Sequence, residues 1–200
     1  GTRARGCRPC GAAAAEARVV EARDLVLLEG LVDVLEREPR RPGAAQGRLV
    51  ERWEVPAAQI HEMDWWDELT VKGVRITCTP ARHYSGRRAM DNSTLWSSWV
   101  IRGEGRAVYF SGDTGYGPHF TEIRRRLGPL DLTLMKVGAY GETWLDIHMD
   151  PESAVRAHLD LGASVMLPVH WTTFDLSYRA WEEPIVCTLT AAAAQGARVV

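Results

Sequence analysis

The chain has 200 residues, of which 46% are hydrophobic and 25% charged, a composition typical of a soluble globular protein rather than a disordered one. Its formal net charge of −2 provides no basic field for nucleic acid or an anionic membrane. No apolar run approaches the roughly 18–20 residues of a membrane span, and no secretory signal opens the chain, so we expect a soluble cytoplasmic protein.

The first quarter of the chain differs in composition from the rest. Residues 1–50 contain no aromatic residue, histidine or lysine, and all six histidines lie beyond them. Leucine and valine residues recur at helical spacing within 11–40 and predict one helix, which a stretch containing proline and glycine ends. We therefore interpret 1–48 as an atypical Arg- and Ala-rich segment and 49–200 as the main domain.

From about residue 70, short β-runs alternate with turn residues. Apolar and β-branched side chains stand at alternate positions or in short continuous runs, and continuous runs suit strands that are covered on both faces. A Gly-Glu-Gly turn at 103–105 predicts a hairpin. The predicted strands are 74–79, 96–101, 107–110, 131–137 and 165–169.

Helical segments lie between the later strands. The clearest begins with the Asp-Pro-Glu-Ser stretch at 150–153, which provides an N-cap, a first-turn proline and an acidic residue, and it ends at Gly162. Segments 120–127 and 182–195 are the other two predicted helices. Strands that alternate with helices predict an α/β domain.

Three predicted strands end next to a side chain that could bind a metal ion: His83, Asp113 and His170. Loops at strand ends hold residues in place while leaving them accessible. Imidazole nitrogen and carboxylate oxygen are ligands of zinc and similar ions, and an aspartate between two histidines could bridge two ions. Each residue also has an ordinary structural interpretation, as a hydrogen-bonded histidine or an Asx-turn aspartate, and the spacing alone leaves both open.

A series of short motifs is similar to one enzyme family. They are HEMDWW at 61–66, TPARHYSGR at 79–87, LWSSWV at 95–100, FSGDTGY at 110–116, VGAY at 137–140, HMDPE at 148–152 and PVHW at 168–171. In this order and spacing they resemble the metallo-β-lactamase-fold hydrolases, specifically the branch of the N-acyl-phosphatidylethanolamine-hydrolysing phospholipase D and its bacterial relatives.

This resemblance implies an αββα sandwich with a two-zinc site at one edge of the sheets. It implies that His83 binds the first zinc, that Asp113 is a catalytic, bridging carboxylate, and that His170 binds the second. His148 resembles a family histidine near the site that hydrogen-bonds the scissile phosphate. A structural role in capping and loop packing beside Asp150 is the alternative for His148.

The sequence departs from the family at one motif. The family's His-x-His-x-Asp-His motif supplies the remaining zinc ligands and a candidate general base, yet the first histidine here is His61. The place for the motif falls within 1–48, so the expected fold is N-terminally incomplete. Either this segment is a truncated or frame-shifted reading, which its composition favours, or the chain has lost one metal site.

Side chains beside the predicted ligands are candidates for substrate binding. Tyr116 and Trp171 each follow closely on a predicted ligand. Arg82 and Arg87 flank His83 and could bind a phosphate; a solvated surface position or a structural ion pair is the alternative for both.

The sequence therefore predicts a metal-dependent hydrolase that cleaves a phosphodiester, as a phospholipase D does, through a metal-activated water. A lactone or ester hydrolase of the same fold is one alternative, and a catalytically impaired relative acting through protein contacts is another. We expect a small-molecule or phospholipid substrate, transient contact with a membrane surface if the substrate is a lipid, and no nucleic acid.

Overall fold

The computed structural model describes residues 56, 60–84, 95–144, 146–172 and 179–200. The segment 1–48 and the boundary at residue 49 lie outside these residues. The described elements, in chain order, are β1 (Glu68–Val71), β2 (Val74–Pro80), β3 (Ser97–Gly103), β4 (Arg106–Phe110), α1 (His119–Leu127), β5 (Leu132–Lys136), α2 (Pro151–Leu161), β6 (Val165–Val169) and α3 (Glu183–Gln195).

These strands form one mixed sheet in which neighbours along the chain are also neighbours in space, in the order β1-β2-β3-β4-β5-β6. Strands β1 to β4 pair antiparallel, whereas β4, β5 and β6 pair parallel. Consequently β2, β4, β5 and β6 all run in one direction, and their carboxyl ends meet at one edge of the sheet. We call this the carboxyl edge.

Two tight turns join the antiparallel strands. Lys72 and Gly73 connect β1 to β2 with φ of 49° and 83°, and Glu104 and Gly105 connect β3 to β4 with φ of 50° and 73°. Positive φ at both central residues is the turn geometry that matches the twist of paired strands. The β3–β4 hairpin confirms the hairpin predicted from the Gly-Glu-Gly turn at 103–105. Strand β1 is not predicted from the sequence, because it is short and three of its four residues are exposed.

The sheet separates two apolar cores. Val100 lies opposite Tyr109, and Trp99 lies opposite Phe110 in the register of β3 and β4. Since successive side chains point to opposite faces, these two pairs belong to different cores. All three helices pack on the Val100 face, where they contribute Phe120, Ile123, Ala154, Val155, Ala157, Leu161, Ala191 and Ala192. The opposite face carries Met63, Ile76, Cys78, Trp99 and Ile101.

Helix α2 begins and ends where its sequence predicts. Asp150 is the N-cap, and its Oδ1 accepts a hydrogen bond of 2.7 Å from the backbone N–H of Ser153. Pro151 occupies the first turn, and Gly162 ends the helix in the left-handed conformation with φ of 66°. Helices α1 and α3 also confirm their predictions, each beginning one residue away from the expected position.

The predicted α/β class is confirmed. Within the described residues, the sheet and its helices correspond to one β-layer and one α-layer of the expected αββα sandwich. None of the helices in those ranges is long and apolar enough to cross a membrane.

Buried His158 makes the stability of this fold dependent on pH. The residue lies in α2, is 1% exposed, and shares a hydrogen bond of 2.8 Å between its Nδ1 and Thr133 Oγ1. Burial lowers the pKa of His158 from 6.5 to about 4. Between these values the unfolded chain binds the extra proton, so stability falls as the pH is lowered through this window. We expect His158 to contribute about 2 kcal/mol to the loss of unfolding free energy between about pH 7.5 and about pH 5.

Urea unfolding of the wild type and of His158→Asn at these two pH values tests this expectation. Asparagine keeps a polar group near Thr133 but does not titrate, so the variant should be less stable at both values and lose less between them. His119, whose pKa burial also lowers to about 4, contributes equally to both proteins. An identical loss in wild type and variant would show that His158 has no part in the acid sensitivity.

Candidate functional site

Four side chains converge at the carboxyl edge of the sheet. His83 follows β2, Asp113 follows β4, and His170 directly follows β6. His148 lies in the loop between β5 and α2. The shared direction of these strands explains why residues far apart in sequence meet here.

The distances between these side chains define a compact cluster. His83 Nε2 lies 3.2 Å from His148 Nε2. Asp113 directs Oδ1 to His170 Nε2 at 3.2 Å and Oδ2 toward His148 Nε2 at 4.0 Å. One ligand atom each from His83, Asp113 and His148 lies within 4.8 Å of the other two. The carboxylate thus stands between two histidines, the position that a bridging ligand requires.

The hydrogen bonds of Nδ1 in His83 and His148 indicate whether Nε2 of each ring can bind an ion. His83 Nδ1 lies 2.7 Å from the carbonyl oxygen of Tyr84, and His148 Nδ1 lies 2.7 Å from that of Ala139. A carbonyl oxygen only accepts, so each Nδ1 donates, and a neutral ring then carries no hydrogen on Nε2. When both rings are neutral in this tautomer, their Nε2 atoms, which lie 3.2 Å apart, are both available to bind an ion.

This donor set fits a metal ion. Two nitrogen ligands at about 2.0–2.1 Å from one tetrahedral zinc lie about 3.3 Å apart, close to the separation of the two Nε2 atoms. Backbone carbonyls that hold the outer nitrogen are the usual support for metal-binding histidines. His83, Asp113 and His148 are thus the described residues that could hold an ion together, and His170 Nε2 lies 3.2 Å from the same carboxylate.

The electrostatic surroundings keep His148 neutral. Burial, together with the nearby Lys136 ammonium, lowers the pKa of His148 to about 4, although Asp113 opposes the shift. Near neutral pH the ring is therefore unprotonated and presents its lone pair to the cluster. Only a neutral imidazole can bind a metal.

Lys136, the last residue of β5, is a functional candidate that the sequence interpretation missed. Its side chain is 1% exposed, and its Nζ donates hydrogen bonds to the carbonyl oxygens of Gly138 and Met149. Burial lowers the pKa of Lys136 to about 8, while the carboxylates of Asp113 and Asp150 oppose the change. A lysine in a mostly apolar strand was the available signal, because lysine is rarely fully buried unless its ammonium group is paired.

Two residues of these loops have a positive φ that usually favours glycine. Ala139 has φ of 51° and His170 has φ of 61°, although neither is glycine. A Cβ on Gly138 would lie 2.1 Å from the carbonyl oxygen of His170, so the loops after β5 and β6 are in direct backbone contact. Such strain persists where the surrounding structure holds it, often at functional sites.

Arg82 joins three of the loops around the cluster. Its guanidinium pairs with Asp146 at 2.5 Å and donates to the carbonyl of Tyr116 at 3.0 Å. Its backbone N–H donates to Thr114 Oγ1 at 2.9 Å, and its carbonyl accepts from the N–H of Gly115 at 2.8 Å. These contacts favour the structural alternative for Arg82 over phosphate binding.

The predicted substrate-binding residues have different surroundings. The hydroxyl of Tyr116 donates to Asp160 in α2, and the Arg156 guanidinium lies 4.6 Å from the centre of its ring. Trp171 donates its ring N–H to the carbonyl of Pro168 at 3.2 Å and packs against the helix-side core. Arg87 lies outside the described residues. A role in substrate binding stays a prediction for all three residues.

Sequence comparison places these features among known proteins. Residues 23–171 match the family model described as a beta-lactamase superfamily domain. An uncharacterised protein of Mycobacterium tuberculosis is 45% identical over 161 residues, which cover 79% of this chain and 43% of that protein. The N-acyl-phosphatidylethanolamine-hydrolyzing phospholipase D 1 of Caenorhabditis elegans is 37% identical over 126 residues, 58% of this chain and 35% of that protein. The chain spans less than half the length of these two relatives.

Structural comparison agrees with the sequence matches. Igni18, described as a novel metallo hydrolase from the archaeon Ignicoccus hospitalis, superposes with a TM-score of 0.54 at 24% identity, covering 70% of this chain and 56% of that one. At this identity the likeness concerns the fold alone. The family model, by contrast, matches well over half of the chain. The protein therefore belongs to the beta-lactamase superfamily, which confirms the resemblance of its motifs to the metallo-β-lactamase-fold hydrolases.

Proposed function

We propose that this chain is the domain of a metal-dependent hydrolase that cleaves a phosphodiester, in the manner of a phospholipase D, with zinc held at the carboxyl edge. The observation that carries the proposal is the approach of His83 Nε2 and His148 Nε2 to 3.2 Å, with the Asp113 carboxylate beside them. His83, His148 and Asp113 would hold a cation between two nitrogen ligands and a carboxylate that balances its charge.

Each residue of the cluster has a defined part in this proposal. His83 and His148 would hold one ion through Nε2, and His170 with the Asp113 carboxylate would hold a second. When bound, zinc supplies Lewis acidity and an activated water. Since the Nδ1–H of His148 donates to Ala139, its neutral ring has no second hydrogen to give a phosphate. We therefore assign His148 to the ligand set rather than to phosphate binding.

The choice of a phosphodiester rests on relatives. The proteins of Caenorhabditis elegans and Saccharomyces cerevisiae that are named N-acyl-phosphatidylethanolamine-hydrolyzing phospholipases D are 37% and 38% identical to this chain over the matched residues. Both matches cover less than two-fifths of those proteins, namely 35% and 29%. A phospholipid or another small phosphodiester is the substrate class that these relatives favour.

A catalytically impaired relative is the second candidate, and one observation favours it. The sequence contains no His-x-His-x-Asp-His motif, since its first histidine is His61. A catalytic zinc normally has about three protein ligands and a water. Among the described residues, the cluster offers His83, Asp113, His148 and His170, which is few for two such ions. In this case the domain binds zinc without turning over a substrate.

Hydrolysis assays with added zinc distinguish these functions. We expect the purified chain to cleave bis(p-nitrophenyl) phosphate, and N-acyl-phosphatidylethanolamine in mixed micelles, with activity that a chelator removes and zinc restores. Cleavage of a lactone probe alone would assign an ester or lactone hydrolase instead. Zinc binding without cleavage of any probe would support the impaired relative and overturn the proposed activity.

A further inference from the structure

Lys136 brings a positive charge into the interior beneath the cluster. Its side chain is 1% exposed, and it is one of only two lysines in the chain. Burying an ammonium group costs several kcal/mol unless hydrogen bonds and nearby charges compensate for its lost hydration. The groups that compensate for this cost are therefore the groups that Lys136 holds in position.

The contacts of Lys136 are with the loop that carries His148. Nζ donates to the carbonyl oxygen of Gly138 and, at 3.3 Å, to that of Met149. Gly138 immediately precedes Ala139, whose carbonyl accepts from His148 Nδ1 at 2.7 Å. Met149 immediately follows His148. One ammonium group thus forms hydrogen bonds to both ends of the loop from Gly138 to Met149. This loop contains both His148 and the Ala139 carbonyl that its Nδ1 contacts.

The backbone of the same residue reaches the strand that carries the carboxylate. The N–H of Lys136 donates to Ser111 Oγ at 3.0 Å, and Ser111 lies two residues before Asp113. Among the described residues, the hydrogen bonds of Nζ go to carbonyl oxygens rather than to a carboxylate. Its position is therefore suited to fixing a loop rather than to neutralising one acid.

We propose that Lys136 is a positioning residue that clamps the loop from Gly138 to Met149, so that the carbonyl of Ala139 holds His148 in the Nδ1–H tautomer. Without the clamp, the loop gains freedom at both ends and the Ala139 carbonyl leaves Nδ1. The ring can then place its hydrogen on Nε2, which abolishes the lone pair that faces His83. The consequence for metal binding rests on the proposed function, whereas the tautomer itself does not.

Nitrogen-15 NMR of the histidine rings in metal-free protein at neutral pH tests this proposal. The variants are Lys136→Met, which keeps the length and removes the donors, Lys136→Arg, which keeps donors, and the control Lys72→Met at the exposed β1–β2 turn. We expect the Nδ1–H tautomer of His148 in the wild type, Lys72→Met and Lys136→Arg, and its loss in Lys136→Met. Zinc affinity should fall about 10- to 100-fold in Lys136→Met only.

Each outcome of these measurements supports or contradicts the role of Lys136 as a clamp. If folded Lys136→Met keeps the Nδ1–H tautomer and the zinc affinity of the wild type, Lys136 is merely structural and the proposal is wrong. If Lys136→Met does not fold, Lys136→Arg decides, because loss of the tautomer in a folded protein that retains the donors contradicts the clamp. If no form binds zinc, the proposed function fails, yet the tautomer comparison still tests the clamp.

Discussion

Replacing Asp113 with asparagine is expected to lower the proposed zinc-dependent hydrolysis by about 100-fold or more. Loss of a residue that only supports a metal ligand usually costs about 10- to 100-fold. The carboxylate directs one oxygen to His170 at 3.2 Å and the other toward His148 at 4.0 Å. Asparagine keeps the shape of the side chain, but it removes the negative charge and one of the two acceptor oxygens. Zinc affinity should therefore fall together with the rate.

The matched control for this substitution is Glu122→Gln. Glu122 lies on α1 and forms exposed ion pairs with Arg125 and Arg126, and such pairs contribute little to stability. The same change from acid to amide should leave rate and zinc affinity as in the wild type. Equal rates for Asp113→Asn and Glu122→Gln at saturating zinc would remove Asp113 from the proposed site.

Replacing Gly115 with alanine is expected to lower the free energy of unfolding by about 3 kcal/mol, the upper part of the range for overpacking. A Cβ on Gly115 would lie 2.1 Å from the carbonyl oxygen of Asp146 and 2.9 Å from the backbone nitrogen of Ile147. These are backbone atoms in the loop that leads to His148, and Arg82 holds that loop through Asp146. The loop must move away, so zinc affinity should fall as well.

Urea unfolding and zinc titration of Gly115→Ala, with Gly141→Ala as the control, check this expectation. Gly141 lies in the same loop region, but a Cβ there would approach only the Trp144 ring, at 3.9 Å. That is ordinary contact, and the control should stay within about 0.5 kcal/mol of the wild type. If both variants are equally stable and bind zinc equally well, the loops after β4 and β5 are not packed as described.

Much of the fold follows from local signals in the sequence. The start and end of α2 are predicted correctly from the N-cap Asp150, the proline after it and the left-handed Gly162. These signals are local because caps act within one helical turn. Apolar runs predict β5 and β6, since strands buried on both faces contain few polar residues. The positions of His83, Asp113 and His170 after their strands are likewise readable, because parallel strands bring their carboxyl ends together.

The remaining features depend on contacts between distant segments. The tautomer of His148 is set by the Ala139 carbonyl, which reaches the ring only in the folded loop. The sequence likewise cannot show that the Tyr116 hydroxyl turns to Asp160 in α2, a partner 44 residues away. The sequence places Lys136 in an apolar run, but only the fold shows that the carbonyls of Gly138 and Met149 surround its ammonium group.

Calorimetric titration of zinc into metal-free wild type and His83→Ala tests the central claim most directly. The claim is that the carboxyl edge of the sheet forms a metal site in which the Nε2 atoms of His83 and His148, 3.2 Å apart, bind the same ion. We predict at least stoichiometric zinc binding by the wild type and an affinity lower by about 100-fold or more in His83→Ala. Wild-type affinity in His83→Ala, or no zinc binding by the folded wild type, would contradict the account.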